Sequence, residues 1–248
     1  MDLGWIEILI LIVVVLLGFF AKGVTGIGAP LLIVPIMAGF TGLEFAVAVI
    51  AIPTVVANTW LLWRTRGSVR EVAWFLWPLL AAGTVGTVMG SWILVNLDDR
   101  IMTVTLAVIV LSYIAWSLAN RDFELSDVWA RRLSAPAGLF AGVLQGGTGA
   151  SGPIVATYVH ALNLERAAFV LAVTIPFQVL GTAQLVSLAA FGGYDRERLV
   201  AGLIATVPAM VAMGPAMGLG DKLSKATFRN VVLALLAAAA IRLIWSAF

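Results

Sequence analysis

Apolar stretches separated by short polar punctuation run the length of the chain, and they come in the same order twice. In the first half they cover Trp5 to Ala21, Pro30 to about Gly39, Leu43 to Trp63, Val72 to Leu97 and Ile101 to Leu118. In the second half they cover Leu133 to Leu144, Pro153 to Leu162, Ala167 to Phe191, Leu199 to Leu219 and Val231 to Ala247. Uncharged apolar runs of about 20 residues fit membrane helices, not the shorter alternating strands of a barrel. The second run of each half is shorter. Ten residues rise only ~15 Å as a helix, half of a ~30 Å hydrocarbon core. The first two runs of each half therefore form either a re-entrant hairpin or two short, steep spans.

Those two runs are separated by a glycine-rich break, Gly23-Val-Thr-Gly-Ile-Gly-Ala-Pro30 in the first half and Gly146-Gly-Thr-Gly-Ala-Ser-Gly-Pro153 in the second. Each glycine costs a helix about 1 kcal/mol relative to alanine. Proline at the far end suits the first turn of a new helix, where its missing N–H is no loss. Each break thus predicts a helix end followed by a helix start. Irregular backbone at membrane depth survives only where protein or a water-filled cavity satisfies it.

An offset of 123 takes Pro30 to Pro153, Pro53 to Pro176, Ile52 to Ile175 and Thr59 to Thr182. A slightly larger offset takes Gly86 to Gly214, Gly90 to Gly218 and Arg100 to Arg229. The fold expected is an all-α integral membrane protein of two inverted-topology repeats, residues 1–119 and 133–248, joined by a cytoplasmic linker at 120–132. Each repeat holds a glycine-broken pair of short helices plus three transmembrane helices. Orientation follows from Lys and Arg near the helix ends. Arg64, Arg66 and Arg70, the linker's Arg121, Arg131 and Arg132, and Lys222, Lys225 and Arg229 all belong inside. Equivalent loops of the two halves then face opposite sides, and both termini lie outside. Internal repeats of this kind are typical of secondary transporters.

Composition agrees: of 248 residues, 62% are hydrophobic and 11% charged, against about 25% charged in soluble domains. A net charge of +2, with basic residues scattered over loops, gives no nucleic-acid surface. The absence of cysteine removes disulfides and thiolate sites. The N-terminus lacks a basic signal-peptide region, so the first apolar run is expected to stay in the protein. One histidine and no paired carboxylates within a span leave no catalytic constellation, and neither break continues into the Gly-Lys-Ser/Thr of a phosphate loop. Neither enzyme activity nor a cofactor nor a metal is expected.

What the breaks do offer is a place for an anion. Helix N-termini present free N–H groups and a positive dipole end. Two such ends, entering from opposite leaflets, would converge near the bilayer midplane. The expected contacts are backbone N–H groups around Gly28, Pro30 and Leu31, and around Gly152, Pro153 and Val155. The hydroxyls of Thr25, Thr148 and Ser151 add donors, and Gly26, Gly147 and Gly149 let the backbone come close. The competing reading is that the glycines only permit close helix packing. Lys22, at the end of an apolar run, is either a deep cation or a snorkelling interfacial one. The offset pairs it with Gln145. Asn58, Gln178, Gln184, Thr54 and Thr174, near the helix-breaking Pro53 and Pro176, each read as an interhelical hydrogen bond before a ligand, with Asn58 and Gln178 the better binding candidates among them. His160 and Arg242 read as boundary residues.

The chain from Gly18 to Pro35, with Lys22-Gly-Val-Thr-Gly-Ile-Gly-Ala-Pro30 at its centre, resembles the TauE/SafE sulfite-exporter family, as does the stretch from Gly138 to Pro153. Many members have a tighter glycine cluster than Gly26-Ile-Gly28. The resemblance implies a multi-pass permease of the bacterial inner membrane for sulfite, sulfonates or other small organosulfur anions, with a proton or sodium ion as candidate coupling partner. The alternatives are a channel or exchanger for another small anion, and a membrane scaffold that transports nothing.

Overall fold

The computed structural model describes residues 5–26, 29–64, 76–119, 127–162, 164, 166–218, 233–234, 236–243 and 245. Among these the regular structure is helical throughout. The helices are α1 (Trp5–Thr25), α2 (Ala29–Thr41), α3 (Leu43–Arg64), α4 (Trp77–Asn96), α5 (Asp99–Ala119), α6 (Asp127–Thr148), α7 (Gly152–His160), α8 (Arg166–Ala190) and α9 (Arg196–Ala216). Residues 236–243 form a further helical stretch. Among the described residues, four helices are long and apolar enough to cross a membrane: α3, α4, α8 from Ala168, and α9. They are the third and fourth apolar segments of each half. Both glycine-break helices are longer than the sequence expectation. α1 continues through Lys22 to Thr25, and α6 begins at Asp127, inside the stretch 120–132, and runs to Thr148 rather than Leu144. Helical hydrogen bonding runs on in each until the positive-φ Gly26 or Gly149 is reached, and polar residues are accommodated in the first turns of α6, so apolar composition alone set these ends too tightly.

Both breaks terminate their first helix in the same way. Gly26 (φ 75°) and Gly149 (φ 68°) lie in the left-handed region, which glycine enters without a Cβ penalty. The N–H of Gly26 donates to the carbonyl of Lys22 at 2.7 Å, and that of Gly149 to the carbonyl of Gln145 at 2.8 Å. Each bond satisfies one of the last helical carbonyls. The chain then re-enters a helix, with Pro30 and Pro153 each the second residue of α2 and α7.

Helix pairing crosses between the halves. The most extensive contact is α4 on α6, and α1 lies against α9. α3 meets α8 and α9, and α4 also meets α8. The α4–α6 seam is backbone on backbone. A Cβ on Gly86, Gly90, Gly138, Gly142 or Gly146 would fall onto main-chain atoms of the facing helix. Without a hydrophobic driving force between helices in lipid, such close approach is what holds a pair together. α1 turns a stripe of Trp5, Leu9, Val13 and Leu17 outward, while Phe19 and Lys22 are buried. Its last turns therefore run into protein. Ala29 to Pro35, the start of α2, are buried as well.

One end of the molecule is tied by polar contacts. The N–H of Leu43 donates to Asp99 at 3.0 Å, and Arg198 donates to Glu44 at 2.6 Å and to the carbonyl of Gly193 at 2.8 Å. The hydroxyl of Tyr194 donates to the carbonyl of Ala48 at 2.8 Å. Burial pushes that phenol up to about 12, opposed by nearby Arg198. Elsewhere Arg242 stacks on Phe40 at 3.7 Å, and His160 meets Phe169 edge-on at 6.3 Å, both on helix ends.

Candidate functional site

The two breaks meet. A small, largely enclosed cavity of about 10 Å³ is lined by Lys22, Pro30, Leu31 and Thr54 from the first half and by Gln145, Gly149, Gly152 and Phe177 from the second. Under the offset of 123, Lys22 corresponds to Gln145 and Thr54 to Phe177. The cavity is thus framed by matching positions of the two halves, which present different chemistry.

Lys22 sits on the last full turn of α1, one turn before the positive-φ Gly26, and is completely buried. Its Nζ has no hydrogen-bond partner among the described residues. It lies 5.3 Å from the centroid of the Phe177 ring, a contact that holds a cation without spending its N–H donors. The interfacial, snorkelling alternative for this lysine does not describe its position. The buried hydroxyl of Thr54, next to the helix-interior Pro53, is likewise unpartnered. Asn58 follows one turn along α3, fully buried, with neither amide atom partnered. A buried polar group without a partner costs about 1–3 kcal/mol, so this face of α3 is costly unless a polar ligand or water meets it.

The second half presents a satisfied network instead. Gln145 donates to Oε1 of Gln184 at 2.8 Å and accepts from the hydroxyl of Ser151 at 2.5 Å. Gln184 in turn donates to the backbone carbonyl of Gln145 at 2.5 Å. Ser151 precedes α7 but makes no side-chain cap for it; its hydroxyl is given to Gln145. α6, α7 and α8 are thereby joined around the second break.

Of the residues singled out in the sequence, Lys22, Pro30, Gln145, Gly149 and Gly152 line the cavity; Gly26 ends α1 one turn after Lys22, and Ser151 hydrogen-bonds Gln145. Thr148 donates back to the carbonyl of Leu144 at 2.7 Å and accepts from the N–H of Ala150. Gly146 lies against the backbone of Thr87 and Ser91, so close packing against α4 accounts for it, whereas a Cβ on Gly147 would meet Met102 and Gly90 only at 3.4 and 3.6 Å. Pro153 opens α7 but does not line the cavity. Gln178 is away from it as well, donating to Thr59 at 3.1 Å and Thr182 at 3.3 Å. Gly28 and the side chain of Thr25 lie outside the described residues. Three residues at or behind the cavity were not among the site candidates: Phe177, Thr54 and Gln184. Thr54 and Phe177 each follow an aligned proline, Pro53 and Pro176, and that repeat was the signal able to find them.

The model of the family described as "Sulfite exporter TauE/SafE" matches residues 10–243. No curated protein and no solved structure matches the chain. The matched region contains both breaks, the four membrane-crossing helices and the whole cavity. The chain belongs to the TauE/SafE sulfite exporter family, and is a multi-pass membrane transport protein.

Proposed function

We propose that the chain is a secondary transporter for a small sulfur-containing anion, such as sulfite or an organosulfonate, working by alternating access around the cavity between the breaks. The observation that carries this reading is Lys22: a fully buried ammonium without a hydrogen-bond partner, facing the starts of α2 and α7. An ionisable group inside a membrane protein is functional by default. Two helix N-termini at one place each favour negative charge, and matching breaks in two halves point to a transport site. The family match supports a sulfur oxyanion as substrate. A cavity of about 10 Å³ has room for about one water molecule, so an anion of this size enters only when the surrounding helices part.

In this reading residues 1–119 and 133–248 are inverted repeats, which the cross-pairing of α4 with α6 and α1 with α9 supports. The linker 120–132 faces the cytoplasm of a bacterial inner membrane. The test is flux of labelled sulfite and of methanesulfonate in proteoliposomes under a proton or sodium gradient. Saturable, gradient-dependent flux is expected. Lys22→Gln should weaken apparent affinity at least about tenfold, more for a dianion than a monoanion, because one charge on the protein is lost. Flux absent for all such anions sinks the transporter reading in favour of a scaffold. Equal affinities in both proteins move the site away from Lys22.

A further inference from the structure

The hydrogen-bond network behind the cavity has a direction, and that direction is set by a backbone carbonyl. A carbonyl oxygen can only accept, so the atom of Gln184 that faces the Gln145 carbonyl must be its NH₂ group. Its other amide atom, the oxygen, then faces Gln145 and must receive an N–H, which fixes the Gln145 amide. The Gln145 oxygen consequently points at Ser151, and the serine hydroxyl must donate. Each step leaves no freedom to the next. The result is that the acceptor of Gln145 is engaged, while its second N–H has no partner among the described residues.

Lys22, on the opposite wall, has three N–H groups and no acceptor. The side chains lining the cavity therefore offer it donation, apart from the Thr54 hydroxyl, which can also accept; Asn58, one turn along α3, is not among the lining residues. We propose that this site selects oxyanions that carry no O–H group, disfavouring those of equal charge and shape that retain a proton, and that Gln184 is the positioning residue for this selection. The inference rests on the cavity being the anion site. Its physical basis is that an O–H brought among these donors has only the Thr54 hydroxyl to receive it, and Thr54 can do so only by turning its own proton away from the anion, so that one hydrogen bond is lost, worth a factor of about ten in affinity. The first half has no such device. The offset of 123 takes Ser151 back to Gly28 and Gln184 back to Leu61, neither of which could hold a side chain at position 22 by hydrogen bonding.

Methanesulfonate and methylphosphonate test this directly. They share a shape, and at mildly acidic pH both are monoanions, but only the phosphonate then carries an O–H. Competition against labelled methanesulfonate on the purified full chain should show at least a tenfold preference for the sulfonate in the wild type. Gln184→Met removes the acceptor that fixes the Gln145 amide and frees its oxygen to turn to the cavity, whereas Ser151→Ala leaves Gln184 holding that amide and serves as the control. In Gln184→Met the preference should fall toward unity, chiefly by a gain in phosphonate binding, which a merely structural loss would not produce, while Ser151→Ala should keep it. A wild type that binds both ligands equally overturns the inference and leaves the anion site standing. An unchanged preference in a Gln184→Met protein that still binds methanesulfonate overturns it too. If the wild type binds neither ligand, the anion site fails and this selection with it. Should Gln184→Met fail to fold, the wild-type ratio alone decides.

Discussion

Replacing Lys22 by methionine keeps the length and apolar stem of the side chain while deleting its charge. The ammonium is fully buried with no hydrogen-bond partner among the described residues. A lysine at the centre of a membrane helix costs about 2.5–3.5 kcal/mol on insertion scales. The one compensating contact, Phe177 at 5.3 Å, returns about 0.5–2 kcal/mol. Without an anion, Lys22→Met should therefore be more stable than the wild type by about 0.5–3 kcal/mol. In a chain of this size that raises the melting temperature by about 2–4 °C per kcal/mol. A saturating anion reverses the order: at a hundredfold excess over its dissociation constant it stabilises the wild type by about 2.7 kcal/mol and leaves the variant unmoved. The assay is thermal unfolding of detergent-solubilised protein with and without sulfite. A variant that is less stable than the wild type in the absence of anion would refute the reasoning, because it would mean that the charge has a structural partner.

At the α4–α6 seam, Gly142→Val would drive its Cβ onto the Gly83 carbonyl group and to 2.8 Å from the backbone nitrogen of Thr87. The expected cost is about 3 kcal/mol or more, read as loss of folded protein, whereas Gly181→Ala, whose Cβ meets only Val55 at 3.4 Å, should change little. Reporter fusions at the two termini should be active only outside the cytoplasm, and one inserted in 120–126 only inside it. A linker reporter active on the same side as the terminal ones would remove the inverted repeat.

The membrane class, the order of the helices and the meeting of the two breaks were all legible in the sequence, because hydropathy, proline and glycine act locally and repeat at a fixed offset. Which break glycine turns the chain was not. Gly26 and Gly149 take positive φ, while Gly146 serves helix packing, and the letter is the same in both roles. The depth of Lys22 was open because a lysine at the end of an apolar run looks the same whether the next residues reach water or protein. Phe177 was invisible for the converse reason: an aromatic in an apolar helix carries no mark of facing a cavity. Gln184 was read as one more interhelical hydrogen bond. It is one, but its partner is a wall of the site.

The pairing of α1 with α9 has a consequence for how the protein is made. α1 leaves the ribosome before α6, α8 and α9, yet Gly23 packs against Met213 and Ala216, near the end of α9, and Lys22 shares its cavity with Gln145 of α6 and Phe177 of α8. Throughout translation of the first half, the break and its charge have none of these neighbours. The nascent first helix must wait, with its lysine drawn toward the headgroups or a chaperone, until the second half is inserted and can take it in. A chain that stops before α8 exposes an unpaired cation and open backbone to lipid, which is the kind of defect that membrane quality-control proteases recognise.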